Sequence, residues 1–323
     1  MRAVLVRELG AVPVVDEHPD PQPKHGGSLV RVRAAPVVPL DVLCASGTSY
    51  FGRRRTPYVP GVQGVGVVEE SDALPAGTRV WFATSAGMVD GDGSLASWCA
   101  VADDDLVPVD AEVTDAALAA LGLSAVAAWM SLTWRAGLRS GERVLVLGGG
   151  GAVGQSAIGA AQVLGAGQVV AVCRSAEAAG RATAAGADAV VEHVDDVSEL
   201  TARISAACAG PVDVVVDPIF GAGAAAATLV LGDSGRLVTL GGASGDAATF
   251  SSATLRSKSI SVLGYTNNSI SVAQRAEAVT RVAEHAAAGR MQVAHHELPL
   301  DRVAEAWLAT AEGRASPRHV LVP

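Results

Sequence analysis

Residues 143–174, RVLVLGGGGAVGQSAIGAAQVLGAGQVVAVCR, constrain the fold more than any other part of the chain. A short apolar run at 144–147 enters four consecutive glycines, and helix-spaced small and apolar residues continue to Leu164. Gly165 and Gly167 stop that helix, and a second apolar run at 169–172 follows at once. The pattern predicts strand, tight turn, helix and strand, the minimal parallel crossover. Gly149, Gly151 and Gly154 satisfy GxGxxG where the strand gives way to the helix, with Ala152 and Val153 between the last two. In such a turn the first glycine permits the bend, the second lets a pyrophosphate approach the backbone, and the third lets helix and strand pack closely. The fingerprint alone is common by chance in a chain rich in Ala and Gly. Between a strand and a helix it points to a dinucleotide whose phosphates sit on the free amides of the helix N-terminus.

At 323 residues, two domains are expected. Half of the residues are hydrophobic, but no uninterrupted apolar run reaches the ~20 residues of a membrane span. The excess is therefore assigned to buried parallel strands and Ala-rich helices. The N-terminus reads as a strand rather than a signal peptide, so a cytoplasmic protein with no membrane partner is expected. The net charge of −9 comes without a basic stripe apart from Arg53, Arg54 and Arg55, which argues against nucleic acid. Cys44, Cys99, Cys173 and Cys208 show no CxxC or regular spacing, which fits reduced thiols better than a disulfide or zinc framework.

Short β-prone runs at 3–6, 28–32, 64–68, 78–82 and 96–101, separated by Pro, Gly and Asp, predict a small, partly open β-barrel. A helical turn is expected near Pro39, with Asp41 in its first turn. Two helices follow, at 115–121 and 124–136. After Arg174, strands at 189–191, 212–217, 236–240 and 260–265 alternate with helices at 176–185, 197–208 and 222–231. With the first two strands this makes six, a doubly wound α/β sheet covered on both faces. Helices at 272–288 and 301–312 precede a last strand at 319–322, which is assigned back to the first domain. The expected division is 1–117 with 267–323, and 118–266.

In this order, and in several motifs, the chain resembles the medium-chain dehydrogenase/reductase superfamily, specifically its zinc-independent quinone oxidoreductase and enoyl reductase branch. Val38-Pro39-Leu40-Asp41 with Ser46-Gly47 is similar to that branch's NPxD...SG segment, and residues 60–68, PGVQGVGVV, to its PGxExAGVV segment. Residues 121–129 resemble the domain-junction segment ending in Ala-Trp, and the strand from Gly235 to Gly241 resembles GRxVxxG. The resemblance implies a GroES-like first domain, a Rossmann second domain and a homodimer paired through the last wound strand. It also aligns Val38, Val62 and Leu123 with the catalytic zinc ligands of related alcohol dehydrogenases, and three apolar side chains cannot replace thiolate and imidazole. No metal is expected.

Cofactor choice is set at the end of the second strand, where an NAD site places a carboxylate. Here the strand ends in Cys173-Arg174-Ser175, and a guanidinium pairs a phosphate through parallel hydrogen bonds, so NADPH is favoured. Arg174 and Arg181 as solvated surface charges are the alternative. His193 stands where the branch often carries a Tyr near that phosphate, with a plain surface histidine as the other reading. Arg318 lies where the branch has a Lys that reaches the cofactor, or it is simply exposed. Hydride transfer leaves negative charge on an acceptor oxygen, and without zinc a quinone or an α,β-unsaturated carbonyl, which delocalises that charge itself, is the natural small-molecule substrate. Tyr50, at a position the branch places at its substrate mouth, is the candidate hydroxyl donor, against a wall residue that only packs. Tyr58 and Tyr265 are weaker candidates. The rival functions are a ketone or aldehyde reductase and a protein that binds NADPH without turnover, the latter motivated by Val38, Gln63 and Ala127 where the branch has polar groups.

Overall fold

The computed structural model of the protein describes residues 1–314 and 317–323. The backbone divides into two compact units, Met1–Gly122 with Val279–Ala287 and Ala294–Pro323, and Leu123–Ala278 with Ala288–Val293. These limits lie beyond the expected ones at 117 and 266. The first falls where Gly122 (φ 35°, ψ −136°) breaks a helix, and the second inside a helix that runs on without a break.

The first unit begins with a hairpin of β1 (Arg2–Leu5) and β2 (Val14–Glu17). There follow β3 (Gly27–Pro36), α1 (Pro39–Ser46), β4 (Gln63–Glu70), β5 (Arg79–Ala83), β6 (Trp98–Ala102), β7 (Leu106–Pro108) and the first part of α2 (Asp115–Met130), whose residues from Leu123 on belong to the second unit. In β3 the residues Ser28, Val30, Val32 and Ala34 are buried while those between them are less so, the period of a sheet with one core face. Val30, Val68, Val80, Phe82 and Leu95 share one core. Each such side chain, fully buried, contributes roughly 1.5–3 kcal/mol.

In the second unit β8 (Arg143–Leu147), α3 (Ala152–Val163), β9 (Gln168–Cys173), α4 (Ala176–Ala184), β10 (Ala189–Glu192), α5 (Val197–Ala207), β11 (Val212–Asp217), α6 (Gly221–Val230), β12 (Leu231–Thr239), α7 (Ser252–Ser257) and β13 (Ser261–Gly264) alternate along the chain. Their strands form one parallel sheet in the order β10-β9-β8-β11-β12-β13, the doubly wound α/β arrangement expected from the sequence. Residues 144–147 of β8 are all 1 % exposed or less, because helices cover both faces. The chain ends with α8 (Val272–Ala287), β14 (His295–Pro299), α9 (Val303–Ala311) and β15 (Arg318–Val322). β15 lies between β14 and β3 in the first unit's sheet, β14-β15-β3-β4-β5-β7, so that domain is discontinuous, as expected.

The two helices expected at 115–121 and 124–136 are present as the two halves of α2, which abut at the non-helical Gly122 (φ 35°, ψ −136°). α2 bends at Gly122 and passes into a π-helical turn, Ser131–Ala136, closed by left-handed Gly137. By length and composition the stretch Asp115–Ala136 could cross a membrane, but it is not an uninterrupted apolar run, and 72 % of its most apolar window is buried within the protein, as in a core helix. β2, β7, β14 and α7 were not expected; each is short, and β2 and β14 are largely exposed, so neither leaves an alternating pattern.

Candidate nucleotide-binding site

The glycine turn sits at the carboxyl tip of β8, one of the two central strands of the wound sheet. Gly148 takes φ +62°, which needs a residue without a side chain. Gly151 is the N-cap of α3 and no side chain caps that end, so the first amides, of Ala152, Val153 and Gly154, open onto the turn. A β-carbon on Gly149 would stand 2.7 Å from Cβ of Ala171, and one on Gly154 2.7 Å from Cα of Gly149, so these two glycines serve close packing. On Gly151 it would meet only the Gly148 carbonyl at 3.4 Å, an ordinary contact, and that face is the open one. Gly150, outside the fingerprint, is also closely packed: a β-carbon there would lie 2.6 Å from Cα and 2.7 Å from O of Ala178 in α4. Its carbonyl accepts hydrogen bonds from Gln155 Nε2 (2.9 Å) and Arg181 Nε (3.0 Å), which hold the turn from both sides. Arg181 is thus a brace of the turn rather than a solvated charge. A cradle of free amides on a helix N-terminus fits a pyrophosphate.

Arg174 follows the last residue of β9 and donates from Nη2 to Oγ of Ser244 at 2.6 Å. Ser175 caps α4, its hydroxyl accepting from the Ala178 amide at 3.2 Å. The same hydroxyl is the main reason that the carboxyl of Glu177 is held below the usual range. His193 is tied to the β9 tip by its amide on the Cys173 carbonyl (2.8 Å). Its side chain is 7 % exposed, with Nε2 3.3 Å from Asp195 and Nδ1 buried without a partner, so it is not a plain surface histidine. Gly241, just past β12, is exposed, and a β-carbon on it would lie 2.5 Å from the Pro218 carbonyl. Glycine there keeps the β11 and β12 tips close.

Asp217, absent from the sequence candidates, ends β11 beside this turn. It is fully buried; Oδ1 accepts from the amides of Ile219 (3.1 Å) and Phe220 (2.8 Å), and Oδ2 has no partner. Burial pushes its carboxyl up to about 6, against the pull of those two amides. The sequence signal was a strand ending in Asp-Pro, which reads as a turn.

Tyr50 and Arg318 belong to the first unit. Tyr50 is 80 % exposed, its ring centroid 4.2 Å from that of Phe51, and Arg53 and Arg55 in the same loop are exposed as well. Tyr58 is buried in the core with no partner for its hydroxyl, and burial raises its phenol above the ordinary value. Tyr265 donates to Asn267 (2.7 Å), whose amide donates to the Leu123 carbonyl (3.1 Å), so its hydroxyl is committed. Arg318 is not exposed: it is 8 % accessible, donates to the Ala120 carbonyl at 2.9 Å, and burial lowers it to about 10 while the charge of Asp41 acts in the other direction. Asp41 accepts from the amides of Val38 (2.9 Å) and Val62 (3.0 Å), and burial pushes it up to about 7. The two valines that align with zinc ligands therefore contribute backbone amides to a buried carboxylate. Among the described residues no three His, Cys, Asp or Glu side chains cluster closely enough to hold a metal ion.

Two family models match the chain: "Alcohol dehydrogenase GroES-like domain" over residues 24–111 and "Zinc-binding dehydrogenase" over 152–284. The quinone oxidoreductase of Lama guanicoe is 27 % identical over 248 residues, 75 % of this chain and 73 % of that protein. The human quinone oxidoreductase is 31 % identical, but over only about half of each chain, 51 % of this one and 50 % of that one. Among solved structures, a mycobacterial quinone oxidoreductase superposes with a TM-score of 0.88 at 25 % identity over the whole of both chains. A mycobacterial structure in complex with NADPH shares the fold, with a TM-score of 0.86 at 24 % identity over the whole of both chains. The parallel six-stranded sheet with its glycine turn, the discontinuous GroES-like unit and these matches place the chain in the medium-chain dehydrogenase/reductase superfamily, in its quinone oxidoreductase branch.

Proposed function

We propose that the protein is an NADPH-dependent oxidoreductase that passes a hydride to a quinone or an α,β-unsaturated carbonyl without a zinc ion. The observation that carries the cofactor half is Arg174 at the tip of β9. Where a carboxylate would bind the ribose hydroxyls of NADH, the chain offers a guanidinium suited to a 2′-phosphate. NADPH, when bound, supplies the hydride. The chain's own part is to hold the pyrophosphate on the amides of residues 152–154 and against Gly151, and the 2′-phosphate on Arg174 with the Ser175 hydroxyl beside it. His193 and Gly241 shape the rim, and Arg318 fixes Asp41 and the α2 carbonyl at Ala120 rather than offering a free charge. The exposed Tyr50 phenol is the group that donates to the acceptor oxygen, with solvent as the alternative proton source.

Support for zinc independence is the residue set itself, since Val38, Val62 and Leu123 offer no ligand atoms in their side chains. An acceptor that delocalises its own charge suits such a site. The exposed edge strand β13 supports a homodimer paired edge to edge, which would satisfy its outer amides.

The test is steady-state oxidation of NADPH and NADH by the purified protein with benzoquinones and enones, each beside its saturated analogue, and metal analysis of the same sample. Preference for NADPH and for the conjugated acceptor is expected, with Arg174→Ala losing roughly 10- to 100-fold in kcat/KM for NADPH alone. Reduction of the saturated ketone at equal rate selects the carbonyl reductase instead. NADPH-dependent thermal stabilisation with no acceptor reduced selects a binding protein.

A further inference from the structure

The sheet order separates the tip of β9 from that of β12 by two strands, β8 and β11, a span of about 14 Å at the usual strand spacing. Arg174 follows β9 and Ser244 follows β12, yet Nη2 and Oγ are 2.6 Å apart. The Ser244 amide also donates to the Ile219 carbonyl at 2.7 Å, which draws its loop in over the end of β11. The guanidinium therefore lies across the carboxyl edge, over the strand end that carries the glycine turn. In an open α/β sheet a nucleotide occupies this same edge.

We propose that the Arg174–Ser244 hydrogen bond is a strap over the nucleotide groove, and that Ser244 is a positioning residue setting the threshold for cofactor binding. This rests on the reading of the groove as a nucleotide site. To seat an adenosine phosphate on the turn, Arg174 must leave Ser244. A 2′-phosphate then gives the guanidinium a charged acceptor in exchange, and an unphosphorylated ribose gives only a neutral one. The bond thus weakens every nucleotide by the same factor, and only the phosphorylated one recovers the loss. Beyond Ser244, Arg174 has no partner among the described residues, so the strap is a single contact that one substitution removes.

The test is calorimetric titration of the full-length protein with 2′,5′-ADP and with 5′-ADP, neither of which can react. Ser244→Ala is expected to bind both roughly 3- to 10-fold more tightly, the range for loss of one charge-assisted hydrogen bond at an exposed site, with the ratio between them unchanged. Ser244→Thr, which keeps the hydroxyl, should behave as the wild type. In an Arg174→Ala background the further change Ser244→Ala should have no effect, and 2′,5′-ADP should have lost its advantage. Unchanged or weaker binding by Ser244→Ala, or a gain that persists without Arg174, overturns the strap. A wild type that binds the two fragments equally overturns the NADPH reading alone, because the strap is judged by the gain in Ser244→Ala.

Discussion

The side chain of Gln63 occupies the space that a β-carbon on Gly122 would need: such an atom would lie 2.7 Å from Cδ and 2.8 Å from Nε2 of Gln63. The break in α2 and the glutamine at the start of β4 are thus one feature. Gly122→Ala meets both that clash and a φ of +35°, and is expected to destabilise the protein by roughly 2–4 kcal/mol. Chemical denaturation of Gly122→Ala and of Gly122→Ala with Gln63→Ala checks this. The second change should restore part of the loss, and a single variant as stable as the wild type would remove the wedge from the account.

Gly150 and Gly151 are adjacent but should respond in opposite ways. Gly150→Ala pushes the turn off α4 and is expected to cost about 1–3 kcal/mol of stability, because the obstacle is Ala178 backbone. Gly151→Ala has room and an ordinary φ of −77°, so its melting temperature should match the wild type. Its added methyl faces the groove, and the stabilisation produced by NADPH should shrink. Melting curves with and without the nucleotide separate the two.

Asp217 should make stability depend on pH in a direction opposite to that of a salt-bridged acid. Its folded value is raised from 3.8 to about 6, so between those pH values the native state holds more protons than the unfolded chain, and stability falls as pH rises through that window. Asp217→Asn keeps the Oδ1 acceptor for Ile219 and Phe220 and removes the charge. It should equal the wild type near pH 4 and exceed it by up to about 3 kcal/mol at pH 7.5. Denaturant midpoints across that range give the comparison, and a wild type that instead gains on the variant with rising pH would mean that a cation holds the carboxylate.

Asp41 couples two amides and a buried guanidinium, so truncation leaves all three without their acceptor or counter-charge. Asp41→Ala is expected to cost roughly 3–5 kcal/mol, measured by urea unfolding. Arg318→Met in that background should recover part of the loss, since the uncompensated charge goes with it. A simple sum of the two single effects would show that they do not act on each other.

Local sequence determined a good deal. Short Val-rich, mostly apolar runs between turn residues bury both faces in a covered parallel sheet, and that made β8, β9 and β11 readable along with the turn at 148–151 and the Arg at the end of β9. The apolar side chains at Val38 and Val62 were equally plain, because residue type is read directly from the sequence. Tertiary structure alone decided what those residues touch. Ser244 lies 70 positions from Arg174 and carries no mark of its partner; Gly150 matters only because α4 passes over it; and Arg318 is buried only because β15 returns beside β3. Residue type and spacing record what a segment does along its own length, whereas a contact between distant segments depends on how the chain closes, which no local period encodes.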